Sequence, residues 1–334
     1  MNQRMRILKL LQEGKISLEQ AEHLLEMMDQ KSSAADRGGS FDRWNLRELR
    51  QLGTQITSAV SQSLSDVRKT IEQQVEQWTG PWTQHTLSVS TVVSVPEGVR
   101  DLSLETVNGG IHVSVADQSA GHIEVRGQVK ADQWSVAAKV LEDAVKTHHS
   151  GERLDLAVIH GKVGGDSPGA VVSAQLHVVL PASMGVLALR SHNGSLNLDS
   201  VRAEELRLDT VNGSVTVHDS TFARLFVTTD NGRVEVYDSI TTRCQSVYAS
   251  AKSGTLRIHG KHPDVRMEGT ARTAFGRIDI PVSRFEVVAD EDARPTFVRF
   301  AEKNAGDGVH RMRVQLETRS GNIRISPAAA DSPL

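Results

Sequence analysis

The chain has 334 residues, a formal net charge of −3, 24% charged and 4% aromatic side chains, and a single cysteine. The balanced charge and the scarcity of rings argue against a nucleic-acid surface or an aromatic sugar cleft, and Cys244 alone excludes an internal disulfide. No run approaches the ~18–20 apolar residues of a membrane-crossing helix, and the apolar run after Met1 is too short for a secretory core, so a cytoplasmic location is expected.

In residues 1–30 a helical hairpin is expected. Ile7, Leu8, Leu10 and Leu11 form one stripe that Gly14 ends, and Ser17 with Gln20 has capping-box spacing. The second helix carries Leu18, Ala21, Leu24, Leu25 and Met28. Two helices this short bury too little apolar surface to stand alone, so they should pack on another copy or another element. Residues 31–43 are mostly small or polar and read as a flexible linker. Residues 44–80 predict one amphipathic helix, roughly 45–50 Å long at about 1.5 Å per residue. Its apolar face is Leu49, Leu52, Ile56, Val60, Leu64, Val67, Ile71, Val75 and Trp78, spaced near 3.6 residues. Trp44, Trp78 and Trp82 bracket a polar face rich in Thr, Ser and Gln, which suits a membrane interface. The same face suits a partner helix or the hairpin, and amphipathicity does not choose between lipid and protein.

From residue 85 to 326 the pattern changes to strands. The best unit is Leu206-Arg-Leu-Asp-Thr-Val-Asn-Gly-Ser-Val-Thr-Val217, two alternating runs joined at Asn212-Gly213. Related units run Leu102–Val113, Leu187–Leu198, Leu225–Val236, Val247–Ile258 and Val314–Ile325, with a degenerate one ending Phe275–Ile280. The joining residues are Asn108-Gly109, Asn193-Gly194, Asn212-Gly213, Asn231-Gly232, Ser253-Gly254, Gly276 and Ser320-Gly321. Asn-Gly reads as a tight turn supplying positive φ. Steps from Gly194 through Gly276 are 19, 19, 22 and 22 residues. A period near twenty means stacked units that bury their apolar rows only together. The expected fold is therefore mainly β: a parallel β-solenoid of 19–22-residue rungs, about 4.8 Å apart. Apolar residues at helical spacing between about 132 and 147 predict a helical insertion, flanked by strands at 121–130, 154–159 and 171–180, which should cap one end. Residues 327–334 read as a disordered tail.

The aligned Asn-Gly and Ser-Gly positions form the most regular polar feature. They read as a structural turn ladder rather than a ligand ladder, because Asn tolerates turns and bonds its neighbours up a stack. Asp199, Asp219 and Asp238 recur after the turn glycines, yet each precedes Ser as turn starts do, and the calcium repeat is missing. The thirteen histidines are scattered apart from His148-His149, so no metal site is expected. No nucleophile elbow, phosphate loop or dinucleotide fingerprint is present; Gly161–Gly165 lacks their spacing. The reading is non-enzymatic and without a cofactor.

The [LV]-x-[LV]-x-[TS]-x-[NS]-G-x-[IVL]-x-[IVL] units, with a helical insertion after the first, resemble the DUF4097 family over residues 86–326. That family groups candidate adhesins with toast-rack domains of bacterial cell-envelope stress systems. Ile7–Leu25 resembles the SHOCT-related two-helix module that precedes such repeats in many Firmicutes proteins. The resemblance implies an envelope-stress or membrane-associated role and brings no catalytic residues. The expectation is a cytoplasmic scaffold or sensor, peripheral to the inner membrane face, that self-associates or binds an envelope-stress signalling protein through its N-terminal helices and does not bind nucleic acid. A surface adhesin exported by an unrecognised route, a carbohydrate-active solenoid and an end-to-end polymer are the alternatives.

Overall fold

The computed structural model describes residues 85–116, 121–162, 169–180, 183–260, 264–289, 296–303 and 310–326, all within the unit Val67–Leu334. The hairpin of 1–30, the linker of 31–43, the helix of 44–80 with its face from Leu49 to Trp78, and the tail of 327–334 lie outside the described residues.

The first part of the chain forms β1 (His85–Val95), β2 (Asp101–Asn108), β3 (Ile111–Val115), β4 (Gly121–Ala131), α1 (Trp134–Ala144), β5 (Val145–Ser150), β6 (Arg153–Val158), β7 (Gly161–Lys162) and β8 (Ala170–Leu180). The repeats follow as β9 (Met184–Asn193), β10 (Leu196–Asp199), β11 (Arg202–Asn212), β12 (Val215–His218), β13 (Thr221–Asn231), β14 (Val234–Ile240), β15 (Ser246–Ser253) and β16 (Leu256–Gly260). The last part is β17 (Val265–Phe275), β18 (Ile278–Asp279), β19 (Phe285–Ala289), β20 (Phe297–Glu302), β21 (His310–Ser320) and β22 (Ile323–Ser326).

These strands make two sheets. One runs β1-β4-β8-β3-β10-β12-β14-β16-β22-β18, with β7 beside β8. The other runs β5-β6-β2-β9-β11-β13-β15-β21-β17-β20-β19. The two strands on either side of each Asn-Gly or Ser-Gly corner do not pair with each other. They fall in opposite sheets, and each pairs with its counterpart one repeat away. Leu206 faces Leu225 and Leu196 faces Val215, so the 19-residue step in the sequence is the register of the ladder.

Alternation decides which side chains go inward. Leu206, Leu208, Val215 and Val217 are 0% exposed, and the same positions of the other repeats join them in one apolar cluster between the sheets. Burying each such side chain contributes about 1.5–3 kcal/mol. On α1, Ala137, Val140, Leu141 and Ala144 form the buried face at helical spacing. Gly127 of β4 leaves the space that Leu141 fills, since a Cβ there would come within 2.6 Å of it.

Three expectations change. The sheets are of mixed orientation, not parallel throughout: β1, β4 and β8 pair antiparallel at one end, as do β5 with β6, and β17, β20 and β19 at the other. Antiparallel strands need only short connections and can leave one face in water, which suits the ends of a stack. The helical insertion stops at Ala144, and residues 145–150 form β5, an almost wholly exposed edge strand without alternation to betray it. Chain order is also not stack order. The last repeat, β21/β22, lies between β15/β16 and β17/β18.

Candidate functional site

The repeats bring their polar residues together at two corners. At the first, the Asn column is a chain of side-chain amides: Asn193 Nδ2 donates to Asn108 Oδ1 (2.8 Å), Asn212 to Asn193 (2.8 Å) and Asn231 to Asn212 (2.9 Å). Ser253 and Ser320 continue the register, and Phe275, 70% exposed, ends it. The neighbouring glycines are not there for a hairpin turn. Gly194, Gly213 and Gly232 do not have positive φ. Close approach is the reason: a Cβ on Gly213 would lie 2.1 Å from the Gly194 carbonyl oxygen, and one on Gly232 1.9 Å from that of Gly213. Gly109, Gly254, Gly276 and Gly321 meet the same obstacle, the oxygen of the adjacent rung, at 1.7–1.9 Å apart from their own conformations.

A second column runs just inside the first, at the [TS] position of the repeat, where the sequence pattern by itself points to no role. Ser191, Thr210, Thr229 and Thr273 hydroxyls donate to the carbonyls of Gly109, Gly194, Gly213 and Gly321 at 2.8, 2.9, 3.2 and 3.0 Å. These hydroxyls are buried and each spends its one donor within the stack. At the start of the ladder His160, also buried, takes the place of a rung. With Nδ1 donating to Val158 O (3.1 Å), Nε2 accepts the Asn108 N–H (3.3 Å). Burial pushes the His160 pKa down. Its neutral form is therefore favoured in the folded chain, while the unfolded chain takes up a proton near pH 6.5. Stability is then full above that pH and falls as pH drops from about 6.5 toward the lower folded value. In urea titrations, His160→Gln should lose less stability than the wild type between pH 7.5 and pH 5.5; equal losses would refute the assignment.

At the opposite corner the three aspartates, read from sequence as turn starts, do not share one register. Asp199 stands opposite His218 and Tyr237, one position before Asp219 and Asp238. Asp219 (φ 44°) and Asp238 (φ 52°) occupy the left-handed region together with Ser200 (φ 57°). The column that matters there is serine. Ser220 Oγ accepts the Val201 N–H and Ser239 Oγ the Ser220 N–H, both at 3.0 Å. His218 lies against Asp199 (Nδ1 to Oδ1, 2.7 Å), 3.8 Å from Asp238 through Nε2, and its ring stacks on Tyr237 at 4.5 Å. The Ser220 and Ser239 hydroxyls donate to backbone carbonyls, so this imidazole is oriented but aimed at no nucleophile.

Elsewhere, burial pushes the Cys244 thiol up to about 12, the state of an inert core residue. His148 and His149 lie on the exposed edge strand β5. Glu205, 4% exposed, is held by Arg207 and by Arg224 (2.8 Å), which explains the burial of its charge. Among the described residues no group of three or more His, Cys, Asp or Glu is placed to hold a metal ion, and no helix is long and apolar enough to cross a membrane.

Comparison with known proteins gives distant structural similarities. A candidate cell adhesion protein from Clostridium sporogenes is 12% identical, with 73% of this chain and 100% of that one covered at a TM-score of 0.40. A candidate adhesin from Bacteroides fragilis is 10% identical, covering 74% and 100% at 0.39. A candidate lipid-binding protein from Parabacteroides distasonis is 8% identical, covering 71% and 96% at 0.30. None of the curated proteins matches. The profile of a SHOCT-like domain matches residues 2–33, and that of Toastrack DUF4097 matches residues 69–326. With its repeats inside that second match, the chain belongs to the Toastrack DUF4097 family.

Proposed function

We propose that the paired sheets are the walls of one parallel β-solenoid closed by antiparallel strands, and that this body is a non-enzymatic scaffold or sensor in cell-envelope stress. It works in the cytoplasm at the inner membrane face. The segment 44–80 supplies the contact with lipid or with a protein of the signalling system, and the solenoid supplies an extended second surface. The observation that carries this reading is the fate of the recurring polar residues. The Asn, Thr and Ser columns bond to the next rung rather than converge on a reacting centre, which is the construction of a rigid platform. Resemblance to the envelope-stress members of the family supports the rest.

Co-sedimentation of the full-length protein with anionic liposomes tests the membrane contact. Ile56→Asp combined with Leu64→Asp should reduce binding at least tenfold, because two charges would enter the apolar face of 44–80. Binding unchanged by both substitutions, or none by the wild type, would sink the membrane part of the reading. Recovery of the protein from the outer cell surface on fractionation would favour the adhesin instead.

A further inference from the structure

The last three rungs of the sheet ending in β18 hold an arginine-lined groove. Arg257 of β16 stands opposite Arg324 of β22, which stands opposite Asp279 of β18. Leu256, Ile258, Ile323 and Ile325 on either side of the two arginines are buried, so alternation turns both guanidiniums to the outer face. On the far side of Arg257 the register places Glu235. The row thus reads carboxylate, guanidinium, guanidinium, carboxylate. Each carboxylate draws its arginine outward: Arg257 Nη1 donates to Glu235 Oε1 (3.0 Å) and Arg324 Nε to Asp279 Oδ2 (2.8 Å). The groove measures about 420 Å³, and Thr255, Arg277 and Asn322 also line it.

Like charges directly opposite on one face of a sheet destabilise it, so the Arg257–Arg324 pair carries a standing cost. Each guanidinium has five N–H donors, and the two ion pairs leave several of them unspent. Arg277 has no hydrogen bond or ion pair from its side chain among the described residues. Within the lining, three guanidiniums face the single carboxylate of Asp279. A dianion with oxygens in several directions would match that surplus and relieve the repulsion, and a phosphate group has both properties. We propose that this groove binds a phosphate group, carried by a phospholipid headgroup or by a soluble phosphate ester. The site shares no residue with the segment 44–80, so its test does not depend on the membrane contact proposed for that segment.

Full-length protein titrated with inorganic pyrophosphate at fixed ionic strength, by calorimetry, gives the first readout. Arg277→Gln should weaken binding at least tenfold, Arg277→Lys should recover part of it, and Arg243→Gln, at an arginine that pairs with Glu204 of the other sheet, should leave it unchanged. Arg277 is exposed, so its loss should not alter the unfolding midpoint. Vesicles of phosphatidylcholine with and without phosphatidylglycerol, offered to the Ile56→Asp plus Leu64→Asp protein, separate the two sources. Vesicle binding that needs both phosphatidylglycerol and Arg277 identifies a lipid headgroup; pyrophosphate binding without vesicle binding identifies a soluble ester. Pyrophosphate binding that Arg277→Gln and Arg243→Gln weaken equally would overturn the site. So would the failure of wild-type protein to bind pyrophosphate and of the doubly substituted protein to bind vesicles.

Discussion

Gly232→Ala should lower the stability of the stack by about 3 kcal/mol or more, read as a shift of the urea midpoint with the slope unchanged. The added methyl carbon would sit 1.9 Å from the Gly213 carbonyl oxygen and 2.6 Å from its carbon. Both are backbone atoms of the adjacent rung, and that rung is in turn pinned by the next. No side chain can swing away to make room, so relief requires the ladder to part. Gly98→Ala is the control. Gly98, unlike Gly232, has a conformation that favours glycine (φ +85°), and a Cβ there would have nothing within 4 Å. Its cost should be only the backbone term, about 1–2 kcal/mol. Equal losses for the two variants would show that close approach does not select the column glycines.

Leu316→Asp should cost at least about 4 kcal/mol, because it places an unpaired carboxylate at a position that is 0% exposed. The location makes the outcome regional. Leu316 is on β21, with Ala249 of β15 on one side and Ala271 of β17 on the other. In a stack where each rung touches only its neighbours, damage spreads outward from the lesion. Hydrogen exchange should show protection lost in β17 and β20 while amides of β9, β11 and β13 keep theirs. Uniform loss along the whole stack would contradict this nearest-neighbour picture, and so would the absence of any loss.

The repeat itself was legible because one spacing served three purposes. Alternation in Leu206–Val217 gave the buried row, Asn212-Gly213 gave the corner, and the 19-residue step gave the register. The family resemblance was carried by the same residues, and the match over 69–326 agrees with it. Other features depended on which strands become neighbours, which no local pattern states. Nothing within Val145–Ser150 alternates, since that strand is held by one partner and exposed almost throughout. Asn-Gly reads as a turn because it ordinarily makes one; at Gly194, Gly213 and Gly232 the constraint is instead a carbonyl contributed by a distant residue. Asp199 recurs with Asp219 and Asp238 before a serine, but pairing puts it beside His218. Arg257 and Arg324 of the groove occupy the variable position between two apolar residues, as do Glu235 and Asp279. Only the pairing of β16 with β22 makes neighbours of Arg257 and Arg324.

That pairing also governs how the chain can be made. A ribosome releases β15/β16 and then β17/β18 before β21/β22 exists, yet in the finished stack β21/β22 separates them. While translation continues, the growing edge at β15 has only the wrong strand within reach. β17, with only its antiparallel partner β20, and β18 must either wait for their parallel neighbours or dock one layer too early and later let go. The step that completes this stack is thus the entry of residues 310–326 between two layers already synthesised, so chaperone demand should peak just before those residues emerge.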